Sequence, residues 1–494
     1  MQRLPCLFIA LFIMINLLCS CGGANAPDKK IDTDINTDSV AETSEKEITD
    51  NIPGGITFNG ETINVLEFDR TAEAFIYAEI YSEGETGEIV NDAVFRRNTL
   101  IESRFDIIIK SVLCSRDNVA PQAEKSVLAD DKSYDVFDIN VVTTAKLLSG
   151  KMLVDIRTIP YVELFQPWWD QKAEEAFSVV NKLFLAINSA NLTAIHHNWS
   201  IVFNKAVIEN NGLETPYQFV RDGKWTLDKM YSMIKDSHPR DLNGDGVMDE
   251  YDMWGLTTQT PDTLALFYGS GEKMFSKDAD DIPYITMNTP RATDVLDKVF
   301  DIMFDKSVTA TAGVTKFNDN SNPWGGAIAK IIREDRTLFH AGSISYMSGM
   351  RDKASDFGFL PIPKFNEAQD DYHNIARNYY LLGFGVPVTN AKMEATGAFL
   401  ETIGCESYKS VVPVYYETSV KNKLVRDEES IEMLELIRKS RSYDLGTIFN
   451  WGGCTNLYTD LTIKADRNFA SAYGSIEKRI NAEMENFIND ILSN

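Results

Sequence analysis

The chain opens with an apolar run, Leu7 to Leu18, broken only by Asn16. From Gly22 to Pro53 it then carries Asp, Thr, Ser, Glu, Lys and Asn with almost no large apolar side chain. Only beyond that point does hydrophobicity become periodic. Glu61 to Phe68 (ETINVLEF) reads as a largely buried strand behind the turn at Asn59-Gly60, and Asp92 to Arg104 places Ala93, Arg97, Leu100 and Ile101 at helical spacing. Strands are expected again at Ile107 to Val112 and Tyr134 to Asn140. This alternation of strand and helix argues for a parallel sheet with covering helices. Leu183 to Ile187 and Trp199 to Asn204 read as further strands, the second opening a new sheet. Thr226 to Ser237 spells a helix that Thr226 caps and Pro239 ends. A strand-like segment at Met253 to Thr258, a helix at Arg291 to Phe304, and strands at Phe357 to Pro363 and Leu381 to Val386 follow. Towards the C-terminus, Ala391 to Ile403, Glu429 to Ser440 and Ile476 to Ser493 carry apolar residues at three-and-four spacing, so this end is helix-rich.

The leading apolar run is too short to span roughly 30 Å of hydrocarbon, which takes about 20 helical residues. With Arg3 before it and small residues after it, it has the make-up of an export signal. Leu18-Cys19-Ser20-Cys21 resembles the lipobox of bacterial lipoproteins. That resemblance implies removal of a signal peptide, residues 1–20, and acylation (palmitate) of Cys21. The mature protein would then sit lipid-anchored on the extracytoplasmic face of the cell membrane. A transmembrane anchor is the alternative. Residues 21–53 cannot bury a core and are expected to form a disordered, solvated tether.

What remains is too long for one ordinary core and suits two lobes. Hydrophobic residues make up 44% and charged residues 24% of the chain, the balance of a folded globular protein. A formal net charge of −25 argues against nucleic acid or an anionic lipid surface as partner, because phosphate would be repelled; a neutral or cationic ligand fits better. Cys6 and Cys19 leave with the signal and Cys21 takes lipid. Cys114, Cys405 and Cys454 remain as packing residues or as one disulfide with an odd thiol, and no spacing suggests zinc.

The sharpest local motif is DLNGDGVMDEYD, Asp241 to Asp252. Asp241, Asn243 and Asp245 fall at positions 1, 3 and 5, Gly246 at the sharp turn, Val247 at 7 with its carbonyl, Asp249 at 9 and Asp252 at 12. Carboxylates on alternate residues around a glycine turn gather the six to eight oxygens that a hard cation needs. A structural Ca²⁺ clamp is therefore expected. Asp252 in place of glutamate and a following strand in place of a second helix distinguish it from a sensor hand, and a plain acidic turn is the alternative.

Aromatics beside polar groups recur: Trp168-Trp169-Asp170, Asn198-Trp199, Trp324, Tyr346, Arg377-Asn378-Tyr379 and Asn450-Trp451. A flat ring stacks on the C–H face of a sugar while amides, carboxylates and guanidinium bond its hydroxyl rim. Trp168, Trp169, Asp170, Trp199, Tyr346, Arg377 and Trp451 are accordingly the candidate ligand contacts, although a single tryptophan is more often core. In QPWWD neighbouring side chains point to opposite sides, which leaves one of the pair available to a ligand. His196-His197 have no nucleophile context, no two carboxylates stand out as a glycosidase dyad, and no phosphate loop occurs. Asn191-Leu-Thr193 and Asn198-Trp-Ser200 match the glycosylation pattern by coincidence.

WSIVFNKAVIENNGLETPYQFVRDGKWTLDKM (Trp199 to Met230), DFGFLPIPKFNEAQDDY (Asp356 to Tyr372) and ETIGCESYKSVVPVYYE (Glu401 to Glu417) resemble extracellular solute-binding proteins of carbohydrate ABC importers, especially the lipid-anchored forms. The resemblance implies a type II periplasmic-binding-protein-like fold: two α/β lobes joined by crossing hinge strands, with the solute in the cleft between them. Lobe 1 would comprise residues 54–188 and 383–412, and lobe 2 residues 189–382 and 413–494. Crossings would fall near Ile187 to Ala194, Leu382 to Pro387 and Val411 to Tyr416. The function implied is capture of a sugar or oligosaccharide, without chemistry, by a monomer that delivers it to membrane permease subunits. A surface-anchored glycan hydrolase, or a solute-sensing subunit feeding a receptor, are the alternatives.

Overall fold

The computed structural model describes residues 48–69, 77–318, 324–348, 350, 356–378, 380–421 and 427–493. The signal segment, Cys21 and the tether as far as residue 47 lie outside the described residues. β1 (Glu61–Phe68) forms where its apolar run predicts. Ile63, Val65 and Leu66 are fully buried, since a parallel strand covered on both faces has no solvent side. After α1 (Ile89–Phe105) comes β2 (Ile107–Cys114), and after α2 (Arg116–Ala129) comes β3 (Val136–Asn140); both strands pair with β1 in parallel. α3 (Val141–Ser149) begins directly at the end of β3, where the Asn140 side chain accepts the Val142 N–H. α4 (Gln171–Phe177) and α5 (Thr193–His196) lead out of this lobe.

The second sheet is built from β4 (Trp199–Asn204), β5 (Trp254–Gln259), then, past a hairpin of β6 (Phe275–Lys277) and β7 (Pro283–Ile285), β8 (Thr309–Ala312), β9 (Thr337–Ser343) and β10 (Phe357–Leu360). The chain returns through β11 (Asn374–Ile375) to β12 (Leu382–Gly385), and β13 (Arg441–Ser442) pairs later with β11. Sheet order is β12-β3-β1-β2 in lobe 1 and β10-β4-β9-β5-β8 in lobe 2. β12 is antiparallel to β3, and β4 is antiparallel to β9, so each sheet is mixed. Each lobe has its own core, around Phe137, Ile139, Phe384 and Phe399 in lobe 1 and around Trp225, Phe267, Phe300 and Phe339 in lobe 2. A smaller apolar cluster joins them, with Val90 and Val94 of α1 against Val202, Phe359 and Tyr415.

The passages between lobes depart from the sequence expectation. Leu183 to Ile187 is not a strand: only Ala186 bridges, to Phe384, before Asn188 and Asn191 fold the chain into a turn through side-chain bonds to the Ala190 and Asn188 N–H groups. The second passage precedes Leu382, because residues 382–385 are themselves β12. Val411 to Tyr416 is helical: Met393–Glu406 runs on through Ser407–Val411, Val412–Tyr415 and Tyr416–Lys421. Its apolar, β-branched residues suit a strand locally, yet helical spacing puts Val411 and Tyr415 together in the interlobe cluster, and that packing outweighs propensity.

Residues 48–53, expected as the end of a disordered tether, are packed on lobe 1. Asp50 makes a two-pronged ion pair with Arg104 (2.6 and 2.7 Å) and accepts from Thr402, and Ile52 is buried beside it. Cys114, Cys405 and Cys454 are all free thiols. No helix of the described residues is long and apolar enough to cross a membrane.

Candidate functional site

Open α/β sheets bind ligands beyond the carboxyl ends of their parallel strands. In lobe 1 those ends are Phe68 of β1, Cys114 of β2 and Asn140 of β3. In lobe 2 they are Gln259 of β5 and Ser343 of β9, and Trp199 joins them because antiparallel β4 starts opposite Ser343. Residues 376–378 and 380–381 lie between the two edges. Ala376 bridges to Asn198, the Arg377 N–H donates to the His197 carbonyl (3.0 Å), and the Val141 N–H donates to the Leu381 carbonyl (3.0 Å). Cations and rings alternate along this passage. The Arg116 guanidinium lies 5.2 Å from the Phe68 ring and 4.8 Å from Tyr380, and Tyr380 stacks on His197 at 4.6 Å. Arg377 sits 5.6 Å from the Tyr380 ring and 5.8 Å from Trp199, within cation–π range of both.

Hydrogen bonds fix this arrangement from lobe 2. The Trp199 indole N–H donates to Asp262 Oδ1 (2.8 Å), while Asp262 Oδ2 accepts from the Thr258 hydroxyl (2.7 Å) and the Gln259 N–H (3.0 Å). Gln259 Oε1 accepts from Arg377 (3.2 Å) and so steadies the guanidinium beside the indole. Burial pushes the Asp262 carboxyl up to about 6, against the opposing pull of these donors and of the Arg377 charge. His340, one strand away, meets the Thr257 hydroxyl (3.0 Å), and burial lowers it to about 3, so its ring is neutral. His197 and Ser345 bond at 2.9 Å below the Tyr380 stack.

Of the candidate ligand contacts, the structure brings Trp199 and Arg377 together. Tyr346 lies nearby, half-buried, 4.8 Å from His340. The others belong elsewhere. Trp168 and Trp169 are 2% and 4% exposed in the lobe 1 core, and both donate their indole N–H to Glu401, at 3.1 and 2.8 Å. Neither ring is left available: the two indoles converge on the two oxygens of one buried carboxylate. Asp170 caps α4 by accepting the Ala173 N–H, and it takes Arg441 and the Tyr443 hydroxyl on its other oxygen. Trp451 is core of lobe 2, stacked on Phe449 at 4.7 Å. The Trp324 side chain and Tyr379 lie outside the described residues. Phe68, Arg116, Gln259, Asp262 and Tyr380 are not singled out by the sequence; the one available signal is the expected strand end at Phe68. Asn191 and Asn198 are buried, so neither is accessible to glycosylation in the folded chain.

In the Asp241 loop, Asp241 accepts the Gly244 and Gly246 N–H groups (2.6 and 2.7 Å), and these bonds hold its carboxyl below the usual range. Asn243 and Asp245 stay on the exposed turn. Asp249 and Asp252 turn inward, Asp252 accepting the Leu242 and Asp249 N–H groups and Asp249 the Asn318 amide. Val247 is exposed. Among the described residues no three acidic, His or Cys side chains are gathered closely enough to hold a metal ion.

No family model matches the chain, and no curated protein is similar to it. Solved structures are. The ABC substrate-binding protein Lmo0181 from Listeria monocytogenes, in complex with cycloalternan, superposes with a TM-score of 0.55 at 13% identity, over 86% of this chain and 99% of that one. A cyclo/maltodextrin-binding protein complexed with maltotetraose gives 0.57 at 11% identity, over 86% and 97%. RafE from Streptococcus pneumoniae, in its apo form, gives 0.52 at 14% identity, over 86% and 99%. The chain therefore has the two-lobe α/β architecture, type II, of these solute-binding proteins.

Proposed function

We propose that this chain is an extracytoplasmic solute-binding protein that captures a sugar or oligosaccharide between its lobes and delivers it unaltered to the permease subunits of an ABC importer. The observation that carries the reading is the meeting of Arg116 and Phe68 from lobe 1 with Trp199 and Arg377 from lobe 2 around Tyr380. Rings for sugar faces and donors for oxygens thus come from both strand edges at once, so a ligand touching both rewards closure about the connecting passages. The neighbouring structures bind cycloalternan, maltotetraose and, in a second RafE structure, raffinose. Incubation with candidate glycans should raise the melting temperature and return the glycan intact. Cleavage products would favour the hydrolase reading.

Anchoring through lipid on Cys21 and a monomeric state belong to the same proposal. Cys21→Ser should release the protein from the membrane fraction. A structural Ca²⁺ in the Asp241 loop is supported by the ligand spacing of Asp241, Asn243, Asp245, Val247, Asp249 and Asp252. Asp241→Asn should lower the melting temperature in calcium and leave it unchanged in chelator, and identical wild-type melts under both conditions would remove calcium from the account.

A further inference from the structure

The side chains at the lobe 2 edge are unequal in what they offer a ligand. Asp262, which feels the Arg377 charge through space, already accepts from Trp199, Thr258 and the Gln259 backbone. Gln259 is 3% exposed, and its Oε1 accepts from Arg377. Its Nε2, with two N–H donors, has no partner among the described residues. Arg377 is half-buried and gives one N–H to Gln259. Among the described residues no carboxylate lies within ion-pair distance of it, and the Asp262 charge reaches it only through space. Asn198 Oδ1, an unpartnered acceptor next to Trp199 in sequence, lines a small enclosed space beside Ile344 and Tyr415. Beside the Trp199 ring the edge thus offers a pair of donors, the Arg377 guanidinium and Gln259 Nε2.

A sugar hydroxyl both accepts and donates, so a pair of donors such as Arg377 and Gln259 Nε2 uses only half of what it offers. A carboxylate or sulfate only accepts, and it matches a fork of guanidinium and amide N–H groups. Resting on the sugar-capture reading, we propose that the captured saccharide carries an oxyanion, a uronate carboxylate or a sulfate ester, which Arg377 and the Gln259 amide receive beside the Trp199 ring. The overall charge of −25 opposes such a ligand at long range, but a Debye length of roughly 8 Å at physiological salt confines that repulsion. At contact the nearest cation decides. Arg116, 4.8 Å from the Tyr380 ring, brings a second positive charge from lobe 1.

The test uses the full chain and two pools of oligosaccharides, with capture read by native mass spectrometry. The acidic pool holds oligogalacturonates, oligoalginates and chondroitin sulfate disaccharides. The neutral pool holds malto-, xylo- and raffinose-series sugars. Retention from the acidic pool is expected, and the pool member retained separates carboxylate from sulfate. Arg377→Gln should weaken it about 10- to 100-fold and Arg377→Lys less, in keeping with the loss of a charge-assisted pair. Binding should also weaken between 50 and 500 mM salt. A neutral sugar retained equally by wild type and Arg377→Gln would overturn the inference and leave sugar capture standing. Retention of nothing from either pool by folded protein would overturn both.

Discussion

Trp168→Ala should cost lobe 1 about 5 kcal/mol and leave glycan affinity unchanged. The ring is 2% exposed and lies against the helix Met393–Glu406, so closely that an ideal Cβ on Gly404 would stand 2.9 Å from Trp168 Cδ1. Truncating a buried Trp to Ala typically costs about 3–5 kcal/mol through lost contacts and the cavity left behind. Glu401 also loses one of its three donors, the two indoles and the Glu163 N–H, for about 1 kcal/mol more. With a urea slope of about 2.5 kcal/mol/M, the unfolding midpoint should fall by about 2 M. Trp168→Phe keeps the packing and drops the N–H, so its shift should be less than half as large. Urea unfolding followed by circular dichroism, alongside calorimetric titration with a captured glycan, reads both quantities. An unshifted midpoint with abolished binding would return the tryptophan pair to the ligand surface and refute this account of it.

Burial pushes the Glu401 carboxyl up to about 7 despite its donors, above the roughly 4.3 of an unfolded glutamate, so ionisation disfavours the folded state. Stability should therefore fall as pH rises from about 4.5 to 7, by about 3 kcal/mol, and level off above. Glu401→Gln should flatten that slope in pH-dependent unfolding, and equal slopes in both proteins would count against the assignment. Asp170→Asn should cost about 3–5 kcal/mol by leaving Arg441, largely buried, without its carboxylate. Adding Arg441→Met should restore much of the loss in thermal unfolding; a neutral single variant would mean that the pair contributes little.

The sequence made the strands and helices of both lobes readable where one face or both were apolar. β1 and β4 have the expected ends, and Thr226 caps its helix by accepting the Lys229 N–H. β9 escaped notice because His340, Gly342 and Ser343 interrupt its apolar run, although the whole strand is buried, His340 and the Gly342 carbonyl meeting Thr257 and Ser200 across the sheet and Ser343 meeting Ser345 just beyond the strand. The tryptophan pair shows the opposite failure. Alternation along an extended segment suggests one exposed ring, but both indoles reach Glu401 on a covering helix, 232 residues from Trp169, and no local pattern announces it. The candidate site was legible in part for the same reason. Trp199 and Arg377 lie in motifs, whereas Phe68, Arg116, Gln259 and Tyr380 acquire meaning only when two strand edges and a return passage meet. Asp50 was hidden by its polar surroundings, since the partner that orders it, Arg104, lies on α1.

The central claim is that one ligand touches both lobes at the strand ends around Tyr380. Amide hydrogen exchange of the full chain, with and without a saturating glycan that it captures, tests this most directly. The account predicts simultaneous protection near Phe68 and Arg116 in lobe 1 and near Trp199, Gln259 and Arg377 in lobe 2, with the glycan recovered unchanged. Protection confined to one lobe, or recovery of cleaved glycan, would contradict it.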